Sequence, residues 1–329
     1  MVRLLSDSDV KHLITMNDIV PAVEHVFGEY AEGKVEMPGK IYVDVKGYGD
    51  FRAMPSYVPS INTAGIKWVN VHPDNPQKGL PTVMATILLN DPKTGKLLCV
   101  MDGSSLTDER TGAAGGVAAK YLARKDASVI GIIGSGHQAW TQMLAYNVVF
   151  GNKIKFVKVY SRHLEHAEAL AGRVRAVMRY EAQAYSAPEE AADADIIATV
   201  TPARSPVLKA EWVKPGTHIN AIGADAPGKQ ELVTALTLKA RVFVDSIEQA
   251  AHSGEINVPW SQGLLNKEKL AGTIGEVITG KIPGRTSDKE ITIFDSTGLA
   301  IQDMAVAHII YERALKENVG QDYDLQGTL

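Results

Sequence analysis

The chain has 329 residues, with 34 basic and 38 acidic side chains for a formal charge of −4, and 45% of its residues are hydrophobic. That length suits two domains with a core in each, and the single cysteine, Cys99, excludes an intrachain disulfide or a cysteine-rich zinc site and fits a reducing compartment, where it reads as a small buried hydrophobe. The absence of any lysine or arginine run argues against a nucleic-acid partner. Residues 1–9 contain no continuous apolar run and no later stretch approaches about 18 apolar residues, so neither leader nor membrane anchor is expected and the protein reads as cytoplasmic.

Ser6-Asp7-Ser8-Asp9 is a capping pattern ahead of Val10, Leu13 and Ile14, and a second amphipathic helix is predicted from Asn17, carrying Val20, Val23, Val26 and Phe27. Between 41 and 101 come short β-rich runs at 41–45, 65–71, 82–89 and 97–101, separated by His-Pro, Asn-Pro and Asp-Pro pairs; a mostly antiparallel sheet is expected. Residues 103–123 predict a long helix in which Gly112, Ala113, Ala114, Gly115 and Gly116 permit close backbone packing at some cost in helix propensity. Apolar runs at 129–133, 156–160, 196–200, 218–222, 242–245 and 291–295 then alternate with helical segments, which predicts right-handed βαβ units around a parallel sheet. A last amphipathic helix is expected at 299–315, then a poorly ordered polar tail from Lys316.

The run at 129–133 leads into Gly134-Ser135-Gly136-His137-Gln138-Ala139 and a helical stretch, a G-x-G-x-x-A turn between strand and helix. Gly134 allows the tight turn, Gly136 lets backbone approach a pyrophosphate, Ala139 permits close packing, and the helix N-terminus offers N–H groups to the anion, so a dinucleotide site is expected. The second strand of this unit ends at Ser161-Arg162-His163, where an NAD site usually offers an acid to the ribose 2′-hydroxyl. A hydroxyl followed by arginine suits a 2′-phosphate, which favours NADP(H) over NAD(H); on the alternative reading Arg162 sits on a solvated surface. His163 and His166 lack a third ligand and read as surface residues, and no metal is expected.

Charged residues in apolar surroundings are the candidates for the reaction site. Lys67 shares a strand face with Gly65, Val69 and Val71. Arg110, at the head of the Ala/Gly helix, can grip a carboxylate bidentately, and Thr111 beside it can touch a cofactor phosphate; Lys40, which precedes the run at 41–45, and Arg52, in Phe51-Arg52-Ala53-Met54-Pro55, are further candidates for binding the substrate. Asp225, in Gly223-Ala224-Asp225-Ala226-Pro227-Gly228, follows a predicted parallel strand, where ligands of open α/β sheets collect. It reads either as a proton acceptor for a substrate ammonium or as the cap of a helix over 228–236.

Phe51-Arg52-Ala53-Met54-Pro55, the runs at 65–75 and 79–85, Glu109-Arg110-Thr111-Gly112-Ala113-Ala114, the glycine turn, 220–232 and 294–303 together resemble the ornithine cyclodeaminase/mu-crystallin family over nearly the whole chain, and within it the archaeal-type alanine dehydrogenases. The resemblance implies an α/β homodimer in which a doubly wound, mainly parallel Rossmann domain (119–299) is inserted in an α+β substrate-binding and dimerisation domain (1–118 plus 300–329). It implies that Lys40, Lys67 and Arg110 hold the substrate α-carboxylate, that Asp225 is the catalytic acid/base, and that the cofactor meets Thr111, Gly134, Gly136, His137, Gln138, Ser161, Arg162, Val200, Thr201 and Gly298. The implied substrate is a small amino acid with its 2-oxo acid, or a cyclic imine. Cyclodeaminases of the family carry glutamate where this chain has Arg52, which would repel a distal ammonium, and the family's alanine dehydrogenases often carry aspartate at the position of Ser161, which leaves both cofactors open. The expected activity is reversible NAD(P)-dependent conversion of L-alanine to pyruvate and ammonia, in which Lys67, its pKa lowered by Lys40 and Arg110, is a second catalytic residue that polarises the carboxylate and activates the attacking water; the alternatives are reduction of pyrroline-2-carboxylate, ornithine cyclodeamination, or non-catalytic binding of NADPH and a small ligand.

Overall fold

The first capping pattern forms as expected. In the computed structural model, which describes residues 1–325 and 327, Ser6 Oγ accepts from the Asp9 amide and the Asp9 carboxylate from the Ser6 amide, opening helix α1 (Asp7–Leu13) after strand β1 (Val2–Leu5). Helix α2 (Met16–Ala31), capped by Thr15, buries Val20, Val23, Val26 and Phe27. Strands β2 (Ile41–Val45), β3 (Gly49–Val58), β4 (Thr63–Val71), β5 (Val83–Asn90) and β6 (Leu97–Asp102) form an antiparallel meander. Strand β3 was not anticipated, because Pro55 and the polar residues Asp50, Arg52 and Ser56 disguise it. Proline is tolerated there because β2 pairs only as far as Ala53, leaving Pro55 opposite Ile66 of β4 alone.

Register assigns each side chain to a face. Lys67 lies in a rung with Met54 and Ile87, and Arg52 in the next rung with Val69 and Ala85, so the two cations share one face; Ile41, Val43, Phe51 and Trp68 alternate onto the other. Helix α3 (Ser104–Leu122) follows, and within it the chain passes from one compact unit, Met1–Arg110 with Leu299–Leu329, to a second, Thr111–Gly298, earlier than the 118/119 boundary expected from the sequence.

The second unit contains β7 (Val129–Ile133), α4 (His137–Phe150), β8 (Phe156–Tyr160), α5 (Leu164–Met178), β9 (Glu181–Tyr185), α6 (Pro188–Ala192), β10 (Ile196–Thr199), β11 (His218–Ala221), α7 (Thr234–Lys239), β12 (Arg241–Val244), α8 (Ile247–Ser253), α9 (Asn257–Ser261), β13 (Gly272–Thr273), α10 (Ile274–Ile278) and β14 (Thr292–Asp295). Its sheet is parallel throughout, in the order β13-β12-β14-β11-β10-β7-β8-β9. The six apolar runs became strands because both faces are buried: Ile130, Ile132, Val157 and Val159 pack in one core, Ile133, Ile197, Ile219 and Ile293 in another. Strand β9 is too polar, and β13 too short, to announce itself. Order reverses between β7 and β10, a topological switch point whose crevice receives ligands at the carboxyl ends of the strands.

The chain returns to the first unit as α11 (Ala300–Glu317) and β15 (Gln321–Tyr323), which pairs antiparallel with β1 and completes the order β15-β1-β6-β5-β4-β3-β2. This corrects the expectation of a poorly ordered tail from Lys316: Arg3 grips Asp322 through two nitrogens at 2.8 and 3.0 Å and reaches the Val319 carbonyl. Of that tail, Gln326, Thr328 and Leu329 lie outside the described residues. Helix α11 packs on α2, β3, β4 and β5, and Ala300 joins Met54, Val69 and Ala85 in the core over the Lys67 face. Among the described residues no helix is long and apolar enough to cross a membrane.

Candidate active site

In the first unit the site is built around a buried lysine. Lys67 is 1% exposed, and its Nζ donates to Asp303 Oδ1 at 2.8 Å; Arg110 Nε donates to the same oxygen at 2.9 Å. Arg110 also reaches Gln302 Oε1, which in turn caps the Leu299 amide at the start of α11. Burial, then the Arg110 guanidinium, lowers the Lys67 pKa to about 7; Asp303 opposes that fall and Lys40 adds to it. Lys67 and Arg110 therefore meet on one carboxylate, with the Lys40 charge acting on Lys67, and the resulting excess of positive charge can receive a small anion. Arg52 stands one rung away with its guanidinium on Asp50 (2.6 and 3.1 Å) and over the Tyr42 ring.

Asp303 closes the run at 294–303, and no role is expected for it from the sequence. The signal was available: Asp303, Ala307, Ile310 and Ala314 follow helical spacing and are all buried, so an acid continues an apolar stripe and demands a cation.

In the second unit Gly134 follows β7 with φ +113, a conformation that favours glycine, and an added Cβ would lie 2.9 Å from the Val200 carbonyl oxygen. Gly136 is the N-cap of α4 and gives the first turn no side-chain cap, and a Cβ built on it meets no atom within 4 Å. Open space at an uncapped helix N-terminus at the switch point fits a pyrophosphate. Helix α3 supports this helix at close range: Cβ atoms at Gly112 and Gly116 would fall 2.5 Å from the Thr141 backbone and 2.7 Å from the Ala145 Cβ. Ser135 Oγ donates to Ser161 Oγ at 2.9 Å, while Arg162, His163 and His166 are exposed. Among the described residues no three metal-ligating side chains come together.

The loops after β10, β11 and β14 are held by buried acids that sequence reasoning passed over. Glu231 accepts from the Thr201 amide (2.7 Å), the Thr201 hydroxyl (2.6 Å) and the Gly223 amide (2.8 Å), tying the Thr201 loop to the strand end that leads to Asp225. Asp245 accepts from the amides of Thr297 and Gly298, both at 2.7 Å. Burial raises the carboxyl of Glu231, and it raises that of Glu255, which accepts from the Glu231 and Leu232 amides, well above the usual range. The helix after this loop is α7, with Val233 at its N-cap, so Asp225 is not a helix cap. Its carboxylate is one-third exposed and receives Lys229 Nζ at 2.5 Å.

The sequence profile of the ornithine cyclodeaminase/mu-crystallin family matches residues 2–318. The chain belongs to that family. Among its members, the alanine dehydrogenase of Archaeoglobus fulgidus is 52% identical over 96% of this chain and 96% of its own. The fold agrees with two solved structures: an archaeal alanine dehydrogenase dimer with bound NAD (52% identity, TM-score 0.95, 98% of this chain and 99% of the other) and Thermococcus litoralis Δ1-pyrroline-2-carboxylate reductase with NADH and L-proline (38%, TM-score 0.94, 98% and 100%). The expected family and α/β fold are thus shown.

Proposed function

We propose that the protein is a nicotinamide-dependent amino-acid dehydrogenase that interconverts L-alanine with pyruvate and ammonia. The observation that carries this reading is the buried Lys67–Arg110 pair, with Arg52 on the same sheet face as Lys67, in a chain 52% identical to an alanine dehydrogenase. Lys40, Lys67 and Arg110 hold the substrate carboxylate, Arg110 through its planar fork. A nicotinamide dinucleotide, held by Thr111, Gly134, Gly136, His137, Gln138, Ser161, Arg162, Val200, Thr201 and Gly298, supplies the hydride donor or acceptor. In the oxidative direction Asp225 takes a proton from the substrate ammonium, the nitrogen lone pair forms the C=N bond as the Cα–H bond breaks, and water adds to release ammonia and the 2-oxo acid. The partial exposure of Asp225 beside Lys229 supports exchange of that proton with solvent.

Reduction of a cyclic imine such as Δ1-pyrroline-2-carboxylate would use the same residues, and the likeness to the Thermococcus litoralis reductase supports it as the second reading. The homologous structures hold NAD or NADH. Ser161-Arg162 at the end of β8 supports NADP(H) here, through a 2′-phosphate received by the serine hydroxyl and the exposed arginine. A homodimer is supported by the exposed apolar face of Ile41, Val43 and Trp68, the last stacked on Phe51 with centroids 5.3 Å apart. We infer a cytoplasmic enzyme, a reading that its single, buried, unpaired cysteine, Cys99, supports through compatibility with a reducing compartment.

The deciding assay follows 340 nm absorbance with pyruvate, ammonia and NADPH or NADH in parallel. Oxidation supports the dehydrogenase, and the faster cofactor decides the Ser161-Arg162 reading. Silence with both, together with turnover of Δ1-pyrroline-2-carboxylate, replaces it with the imine reductase.

A further inference from the structure

We propose that Asp303 is a positioning residue of this reaction, fixing the Lys67 ammonium and the Arg110 guanidinium as one pair directed at the substrate carboxylate. The inference rests on the function proposed above and assigns a role to a residue that function does not use. Asp303 is fully buried on α11, and both cations converge on its Oδ1, while Oδ2 is buried and accepts no hydrogen bond. Its charge is therefore committed to Lys67 and Arg110. A buried lysine with a free choice of rotamer would be mispositioned for a carboxylate; a lysine tied at 2.8 Å to a helix whose first turn is itself capped by Gln302 has one direction.

Asp303 also sets charge. The groups that face Lys67 are Arg110 on α3, Lys40 ahead of β2, and, one rung along the sheet, Arg52 with its partner Asp50 on β3. Arg110 and Lys40 drive Lys67 toward the neutral amine, and Asp303 is the group that opposes them. With Asp303 ionised, Lys67 stays cationic to about neutral pH and can attract a carboxylate; without that charge it would lose its proton earlier.

Asp303→Asn keeps the shape and an acceptor oxygen and removes the charge. We expect KM for the 2-oxo acid to rise at least tenfold, the alkaline limb of the kcat/KM profile to move about one pH unit toward acid, and NADH affinity to stay unchanged. Asp303→Glu keeps the charge and displaces the oxygens by one methylene, so KM should rise while the limb stays in place. Wild-type KM and an unmoved limb in Asp303→Asn overturn the proposal, and should that variant fail to fold, wild-type KM in Asp303→Glu overturns it equally. Nitrogen-15 NMR of Lys67 Nζ, assigned by its loss in Lys67→Met, requires no turnover. If Lys67 titrates at the same pH in the native protein and in Asp303→Asn, the link is refuted whatever the reaction proves to be; an acidward shift supports it even where the alanine assay is silent.

Discussion

Asp303 in the first unit and Glu231 in the second are both fully buried acids, yet they are satisfied by opposite kinds of partner. Asp303 is met by two side-chain cations. Glu231 is met by backbone amides and one hydroxyl, with no cation among its hydrogen bonds here, and its carboxyl is raised by burial. An acid bound by cations makes a centre whose net charge can answer a charged substrate, and that centre is sensitive to pH near neutrality. An acid bound by backbone amides fixes the path of loops and is indifferent to the substrate's charge. The first arrangement suits recognition of a carboxylate; the second suits holding Thr201 and the segment before Asp225 in place for a cofactor.

The comparison breaks first at the residues assigned to chemistry. Lys67→Ala should lower kcat/KM for pyruvate about a thousandfold and Asp225→Asn by about a hundred- to ten-thousandfold, with NADH binding by fluorescence titration unchanged in both. Turnover near wild type in Lys67→Ala would remove the first unit's cationic cluster from the reaction. Glu231→Ala should do the reverse. Three donors lose their acceptor, at about 1–3 kcal/mol for each left buried, so denaturant unfolding should show a loss of several kcal/mol, and NADH binding should weaken about tenfold. A variant that is destabilised yet binds NADH normally would show that the Thr201 loop does not serve the cofactor.

These two acids also mark where the sequence could be read and where it could not. The six apolar strands of the second unit and the glycine turn were legible because a strand buried on both faces must be apolar along its whole length, and because a G-x-G-x-x-A turn constrains three backbone positions at once. Lys67 and Arg110 were legible as charges in apolar surroundings. Strand β3 was not, since Pro55 is a breaker by every local rule and is admitted only because β2 stops two residues short of it. Nor was β15, a polar triplet whose pairing depends on the Arg3–Asp322 contact across the length of the chain. Asp303 sits on a visible apolar stripe and could have been found; Glu231 has no periodicity to betray it, because its partners are amides brought together only when β10 and β11 pair.

The smallest expected effect is the pH dependence of stability, where the two units should pull in opposite directions. Glu255 has its folded carboxyl raised well above the ordinary 4.5, by burial first and then by Glu231. Above about pH 4.5 the unfolded chain releases this proton while the folded one keeps it, so stability falls as pH rises from there toward the folded value. Lys67 behaves inversely: folded it titrates near 7, unfolded at 10.5, so between these values the unfolded chain binds the extra proton and stability rises with pH. Glu255→Gln should therefore gain on the native protein as pH increases from 5, and Lys67→Met should flatten the native rise between 7 and 10. In melting curves about 2–4 °C corresponds to 1 kcal/mol for a domain of this size. A native curve that Glu255→Gln merely displaces, without a change of slope, would mean that Glu255 is ionised in the fold and that the second unit bears its buried charge as the first does.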